Sequence, residues 1–195
     1  MNVADSNLHE LMRLARQGET KAISSLIELY RNYLWLLARH QIDRRLQGKL
    51  DASDVVQESF LESHRDFAQF QGTTEQELLA WLRRILSRSL IDSARRFATR
   101  RRDVSLEQTM ERVLEQSSRS LAGGLVAAGS SPSQVAARRE QAVLLADCLA
   151  QFPEDYREVI LLRQMDGLSF PEVAKNGTQC RECAQAVGQS LGAST

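Results

Sequence analysis

The sequence predicts an all-α protein made of two small helical domains joined by a flexible linker. Apolar residues recur at helical spacing in both halves of the chain. Glycine, proline and capping residues stand at the ends of these periodic stretches. Between the halves, residues 116–133 hold six serines, three glycines and one proline, a composition typical of linkers. We therefore expect domains over residues 1–102 and 134–195, with a linker over residues 103–133.

The composition indicates a protein with a real core and no membrane insertion. The 195 residues include 25 basic and 25 acidic side chains, and 43% are hydrophobic. No run is long and apolar enough for a bilayer, and the first residues lack the basic start and apolar core of a signal peptide. The three cysteines suggest no disulfide framework. These features predict a cytoplasmic protein.

Two helices are predicted in the first forty residues. The first spans residues 5–17 and ends at Gly18, and the second begins near Glu19 and continues through Leu37. A cluster of aromatic residues in the second helix could stack on nucleic-acid bases, but core packing is the favoured interpretation. This cluster consists of Tyr30, Tyr33 and Trp35.

The next predicted helix is acidic. It begins at the N-cap Asp51, and carboxylates then recur every four residues, at Asp54, Glu58, Glu62 and Asp66. Like charges at this spacing repel each other by roughly a few tenths of a kcal/mol per pair. A basic protein partner would remove that cost, so the stripe suggests a surface that docks on another protein.

The helix that follows is rich in arginine. Four of its arginines fall within a ~40° sector of a helical wheel, opposite a row of leucines. These arginines are Arg84, Arg88, Arg95 and Arg102, and the leucines are Leu78, Leu82 and Leu86. From Arg83 to Arg102 there are eight arginines and one acid. A solvated charged face is the ordinary explanation of such a pattern. The lack of lysine and the near absence of acid favour a surface that contacts phosphate instead.

Three segments of this region carry a family resemblance: Asp51-Ala-Ser-Asp-Val-Val-Gln-Glu-Ser-Phe60-Leu, Trp81-Leu-Arg-Arg-Ile85 and Leu90-Ile-Asp92-Ser-Ala-Arg-Arg96. They resemble conserved region two of bacterial sigma factors of the extracytoplasmic-function (ECF) group, the promoter-specificity subunits of RNA polymerase. The resemblance implies that the acidic helix docks on core RNA polymerase through Asp54, Val55, Gln57, Glu58, Phe60 and Leu61. It also implies that the promoter −10 element meets Phe70, Gln71, Gly72, Thr73, Thr74, Arg84, Arg88, Arg95 and Arg96.

The loop Phe70–Glu75 separates the acidic helix from the arginine-rich helix. Its composition is sufficient to end one helix with a C-cap at Gly72 and to cap the next at Thr73 or Thr74. The resemblance adds a second role, in which the polar side chains of the loop receive a base turned out of the duplex.

The second domain is predicted to contain a helix-turn-helix. Helices are expected from Gln134 to Phe152, over Glu154–Met165 and over Phe170–Lys175, the last opened by a capping box, Ser169-Phe-Pro-Glu172. The apolar face of the first comprises Val135, Val143, Leu144, Cys148 and Leu149. The segments Phe152-Pro-Glu-Asp-Tyr-Arg-Glu-Val-Ile-Leu-Leu162 and Gly167-Leu-Ser-Phe-Pro-Glu-Val-Ala174 resemble region four of the same family, which binds the −35 element. Weak candidates for −35 contact are Ser169, Lys175 and Arg181.

Residues 176–195 depart from that pattern. They contain one basic residue, Arg181, one acid, Glu182, and three glycines, where a recognition helix needs leucine and arginine. A change of reading frame near Lys175 is one hypothesis, because a suitable choice of codons makes the +1 register encode an amphipathic basic stretch. The pair Cys180 and Cys183 is weak evidence for zinc without a second pair. Neither a metal nor a cofactor is expected.

The first functional hypothesis is a sigma factor, not an enzyme, that binds core RNA polymerase, recognises a promoter and opens the DNA at initiation. The alternative is a sigma-like adaptor that docks on polymerase or on a regulator without productive −35 binding. The atypical composition of residues 176–195 is the feature that supports this alternative. An enzyme finds little support, since the sequence shows no nucleotide loop and no recognisable catalytic constellation. The resemblance implies core RNA polymerase and promoter DNA as partners. An anti-sigma factor that regulates the protein is a further partner consistent with the resemblance.

Overall fold

The computed structural model describes residues 3–42, 50–97, 104–123, 132–165 and 167–176. Every regular element in these ranges is helical, which confirms the predicted all-α class. The chain divides into two compact units, Met1–Gln116 (unit 1) and Ser117–Thr195 (unit 2). No helix in the described ranges is long and apolar enough to cross a membrane.

In unit 1 the described residues form a bundle in which α4 is central. The elements are α1 (Val3–Arg16), α2 (Thr20–Glu28), α3 (Arg31–Gln41), α4 (Ala52–Asp66), a 3-10 turn (Phe67–Gln69), α5 (Glu75–Phe97) and the start of α6 (Val104–Gly123). Helix α1 packs on α2, and α4 packs on α2, α3 and α5. The predicted acidic helix, α4, and the predicted arginine-rich helix, α5, are therefore direct neighbours.

The core of unit 1 is formed mainly by the apolar faces of α2, α3 and α5, together with Val55 and Val56 of α4 and Met12 and Ala15 of α1. Its largest fully buried side chains are Tyr30, Tyr33, Leu26, Ile27, Leu34, Leu36, Leu37, Leu78, Leu79, Leu82, Ile85 and Leu86. The leucine row of the helical wheel is thus buried, as predicted. Tyr30 and Tyr33 are 2% and 1% exposed, which confirms that they are core residues.

One helix prediction for unit 1 is wrong, because the stretch from Glu19 to Leu37 forms two helices. Helix α2 ends at Glu28, and Tyr30 departs from helical geometry with φ −108° and ψ 9° before α3 begins. No glycine or proline marks this break. We attribute it to the burial of Tyr30, whose ring lies in the core while its amide bonds the Ile27 carbonyl at 3.1 Å.

Unit 2 holds the end of α6 together with α7 (Pro132–Ala150), α8 (Glu154–Gln164) and α9 (Phe170–Asn176). Helices α8 and α9 pack around Val159 and Val173. The amide and hydroxyl of Ser169 donate to Glu172 Oε2 at 2.7 and 2.5 Å, which confirms the predicted capping box.

The predicted apolar face of α7 is partly wrong. Leu144 is 63% exposed and Cys148 is also exposed, whereas Ala142, Ala146 and Leu149 are buried. Of the predicted face, Leu149 is buried and Val143 half-buried, whereas Leu144 and Cys148 are on the exposed side and the side chain of Val135 lies outside the described residues. Two alanines at helical spacing, Ala142 and Ala146, complete the buried side of α7.

Helix α6 (Val104–Gly123) lies within the segment 103–133, and α7 begins at Pro132, near the end of that segment. The division between the two units falls at Gln116, inside the segment 103–133. The role of that segment as a linker stays a prediction.

Candidate functional site

Helix α4 presents carboxylate, amide and apolar groups on one exposed face. Its N-cap Asp51 accepts a hydrogen bond from the amide of Ser53 at 2.8 Å, as predicted. Asp54 and Gln57 are exposed, and Leu61 is 66% exposed. Since these three residues are separated by three and four positions, they share one side of the helix.

Two of the residues expected to dock on polymerase, Val55 and Glu58, make contacts within this chain. Val55 is 0% exposed, so its side chain supports the helix from the core and cannot contact a partner directly. Glu58 faces α5, where its Oε1 lies 2.6 Å from Nη1 of Arg96 and its Oε2 accepts from the hydroxyl of Ser93 at 3.4 Å. The repulsion within the acidic stripe is therefore relieved in part by the protein's own arginine helix.

The environments of Phe60 and Glu62 also involve arginines of the same chain. Phe60 is half-buried, and the guanidinium of Arg31 lies 4.7 Å from its ring centroid. Burial raises the pKa of Glu62, and the nearby charge of Arg88 opposes that shift. The inner side of α4 therefore packs against α5, and its outer side is exposed and can contact a partner protein.

The exposed stripe of α5 repeats every fourth residue, at Ala80, Arg84, Arg88, Asp92 and Arg96. Such a stripe drifts by about 40° per step around a helix with ~100° per residue. Arg95, which the straight wheel groups with Arg84 and Arg88, consequently faces inward. Its side chain is 14% exposed, and its Nη1 bonds Asp92 Oδ1 at 3.0 Å. The prediction of an exposed arginine face is therefore correct for Arg84 and Arg88 and wrong for Arg95, while Arg102 lies outside the described residues.

Helix α6 brings two glutamates to the arginine helix. Glu115 Oε2 lies 2.5 Å from Nη2 of Arg83, and Glu111 Oε1 lies 3.4 Å from Nε of Arg84. Arg83 is only 3% exposed and also donates to the hydroxyl of Tyr33 at 3.0 Å. Arg83 is thus a structural residue, although it belongs to the arginine-rich run. Glu111 and Glu115 are four residues apart, so they lie on the same side of α6. This spacing is the sequence signal that could have predicted a shared contact with the arginines of α5.

The loop Phe70–Glu75 begins with an aromatic cluster. The ring centroid of Phe70 lies 5.7 Å from that of Phe67 and 5.1 Å from that of Trp81. Gly72 packs against this cluster, since a Cβ at Gly72 would collide with the Phe70 ring and come within 2.7 Å of Glu77 Cβ. Only glycine fits this position without displacing its neighbours.

The prediction of a C-cap at Gly72 is wrong. The residue that follows the 3-10 turn as its cap is Phe70, in an extended conformation. Among the described residues the glycines with positive φ are Gly18 and Gly167. Gly72 is required by close packing and not by a left-handed backbone.

Thr74 caps α5, as predicted. Its hydroxyl accepts from the amide of Glu77 at 3.3 Å, and the Glu77 carboxylate accepts from the amides of Thr73 and Thr74 at 2.7 and 3.0 Å. The Thr73 amide, more than any other group, holds the pKa of Glu77 below its ordinary value. The loop and the first turn of α5 therefore form one hydrogen-bonded unit.

Two residues outside α4 and α5 also reach this loop. Nη2 of Arg16 donates to the carbonyl of Gly72, and the hydroxyl of Tyr30 donates to Glu75 Oε1 at 3.1 Å. These contacts join residues 56 and 45 positions apart. No local pattern in the sequence signals them.

The candidates for −35 contact are mostly outside the part of the chain that the structure describes. The Ser169 side chain is bonded to Glu172 within the capping box. The side chain of Lys175 lies outside the described part of the chain, and so do all atoms of Arg181, Cys180 and Cys183. Within the described ranges, no three or more potential metal ligands come together.

Comparisons with known proteins match the chain across both units. A family model described as ECF sigma factor matches residues 5–183, and its match ends inside the segment of atypical composition. The ECF RNA polymerase sigma-E factor of Haemophilus influenzae is 26% identical over 166 residues, which cover 85% of this chain and 80% of the relative. The proteins of the same name from Salmonella typhimurium and Escherichia coli are 26% and 25% identical over 164 residues, covering 84% of this chain and 79% of each relative.

No solved structure matches this chain with significance. The family model nevertheless spans nearly the whole sequence, and the motifs that carry the resemblance lie on helices α4, α5, α8 and α9 in the order the resemblance requires. This protein therefore belongs to the ECF sigma factor family and directs promoter recognition by RNA polymerase.

Proposed function

We propose that unit 1 recognises promoters with two adjacent surfaces. The docking surface, which meets core RNA polymerase, comprises Asp54, Gln57, Phe60 and Leu61 of α4. The DNA surface, which meets the −10 element, comprises the loop Phe70–Glu75 with Arg84 and Arg88 of α5. The observation that carries this proposal is the packing of α4 on α5, which puts an exposed acidic and apolar face beside an exposed arginine stripe in one compact unit.

The two surfaces suit different steps of initiation. Arginines contact phosphates regardless of sequence and so supply affinity, whereas the polar side chains of the loop can bond to the edges of bases. Turning a base out of the duplex costs a few kcal/mol, and phosphate contacts from Arg84 and Arg88 offset that cost. This function is binding and not catalysis, and it places the protein with polymerase in the cytoplasm. An anti-sigma factor that covers either surface would block polymerase binding or promoter binding and so regulate the protein.

The DNA surface is tested by the salt dependence of promoter binding in complex with core polymerase. Arg84→Ala and Arg88→Ala should each weaken binding and lower the slope of log affinity against log salt by roughly 0.9. Arg65→Ala is the matched control, because Arg65 is 73% exposed on α4 and pairs with Asp66. An unchanged slope in both α5 variants would contradict the assignment.

The docking surface is tested by association with core polymerase. Asp54→Lys combined with Leu61→Ala should abolish co-purification, because it reverses a charge and removes an exposed apolar contact. Glu58 is unsuitable for this test, since its replacement also breaks the pair with Arg96. The control is Glu10→Lys, which reverses an exposed charge on α1. Intact co-purification of the Asp54 and Leu61 variant would exclude this surface.

A further inference from the structure

The loop Phe70–Glu75 is held by residues from the N-terminal helices. Arg16 is the last residue of α1, and its Nη2 donates to the carbonyl of Gly72. Tyr30 is 2% exposed between α2 and α3, and its hydroxyl donates to Glu75 Oε1 at 3.1 Å. The loop is therefore fixed at its middle and at its end by residues that belong to neither of the two proposed surfaces.

The peptide group between Gly72 and Thr73 is bonded at both of its ends. Its carbonyl oxygen accepts from Arg16, and its N–H donates to Glu77 Oε2 at 2.7 Å. Because a peptide group is planar, two hydrogen bonds on opposite ends fix the orientation of the whole group.

Glycine makes this restraint necessary. Position 72 must be glycine, because the ring of Phe70 leaves no room for a Cβ. Glycine, however, does not restrict its own φ and ψ, so the peptide that follows it rotates more freely than one that follows another residue. The hydrogen bonds from Arg16 and to Glu77 replace the missing steric restraint.

We propose that Arg16 is a positioning residue for promoter reading. By fixing the Gly72–Thr73 peptide it holds Gln71 and Thr73 in one arrangement, and this arrangement sets the base preference at the −10 element. The inference rests on the DNA-reading role proposed above for the loop. A loop already held in its binding arrangement loses less freedom on binding and discriminates better between bases. Arg16 acts through the loop and not through its own contact with DNA.

The test uses the full chain bound to core polymerase and promoter fragments that are pre-melted and randomised across the −10 element. Sequencing of the bound fragments gives the base preference. Arg16→Ala should reduce the preference for the best base by roughly threefold to tenfold, the value of one hydrogen bond, while affinity for core polymerase stays unchanged. Arg16→Lys should keep much of the preference, because an ammonium group also donates to a carbonyl.

The matched control is Arg13→Ala. Arg13 lies one turn earlier on α1, is 54% exposed and bonds Glu10 at 2.7 Å instead of the loop. It should leave the base preference unchanged. An unchanged preference in Arg16→Ala overturns the inference. An equal loss of binding to all sequences also overturns it, since that result marks a phosphate contact.

Gln71→Ala separates this inference from the function on which it rests. Gln71 is exposed in the loop. If Gln71→Ala changes the base preference and Arg16→Ala does not, only the positioning role fails. If neither variant changes it, the loop does not read the promoter and both proposals fail.

Discussion

Replacing Glu115 with glutamine should destabilise unit 1 far more than the loss of an ordinary surface ion pair. Arg83 is 3% exposed, its Nη2 lies 2.5 Å from Glu115 Oε2, and Glu115 itself is 23% exposed. A guanidinium keeps its charge throughout the accessible pH range. The variant therefore leaves a buried cation next to the neutral hydroxyl of Tyr33, without its carboxylate.

The size of the effect follows from the burial of Arg83. Removing one member of a buried pair costs about 3–5 kcal/mol of unfolding free energy. We expect the lower end, about 3 kcal/mol, because Glu115 is partly solvated and glutamine still accepts a hydrogen bond. For a unit of this size the corresponding fall in Tm is roughly 12 °C.

Thermal unfolding followed by circular dichroism measures this change, and scanning calorimetry separates the transitions of the two units. Glu111→Gln is the matched control one turn earlier on α6, because its pair with Arg84 spans 3.4 Å and both side chains are more exposed, at 37% and 55%. That control should cost less than about 1 kcal/mol.

A double variant tests the electrostatic cause directly. Arg83→Met with Glu115→Leu should recover most of the lost stability, because no charge then remains buried. Equal shifts in Tm for Glu115→Gln and Glu111→Gln would refute the reasoning.

Three further predictions concern the loop and the two capping boxes. Gly72→Ala should lower the free energy of unfolding by about 1–3 kcal/mol, because the added Cβ meets the Phe70 ring; denaturant unfolding measures this, and wild-type stability would contradict the close packing. The folded-state pKa of Glu77 is depressed by its hydrogen bonds, so its stabilising effect is complete above the unfolded glutamate pKa and is lost as pH falls below that value. The stability difference between the wild type and Glu77→Gln should accordingly shrink between neutral pH and about pH 3, and a constant difference would count against it. Ser169→Ala should destabilise unit 2 by about 1 kcal/mol in calorimetry, because it removes a capping bond to Glu172; Ser169→Thr, which keeps the hydroxyl, is the control, and equal melting of the two variants would contradict this role.

The sequence by itself determined the helical class, the family and the main local features of α4, α5 and the loop between them. The buried leucines of α5 follow from amphipathic periodicity, and the caps Asp51 and Thr74 follow from side chains that bond to nearby amides. These are local signals, and they remain visible without tertiary contacts. The ordered motifs along α4 and α5 predicted the family that the comparisons confirm.

Tertiary structure decided which residues of these helices remain exposed and what they bond. It placed Arg83 and Arg95 inside, broke the second helix at Tyr30, and joined Arg16 to a carbonyl 56 residues away. Periodicity gives the angle of a residue around its own helix. Exposure and pairing depend instead on which neighbouring element covers that angle, and that neighbour comes from a distant part of the chain.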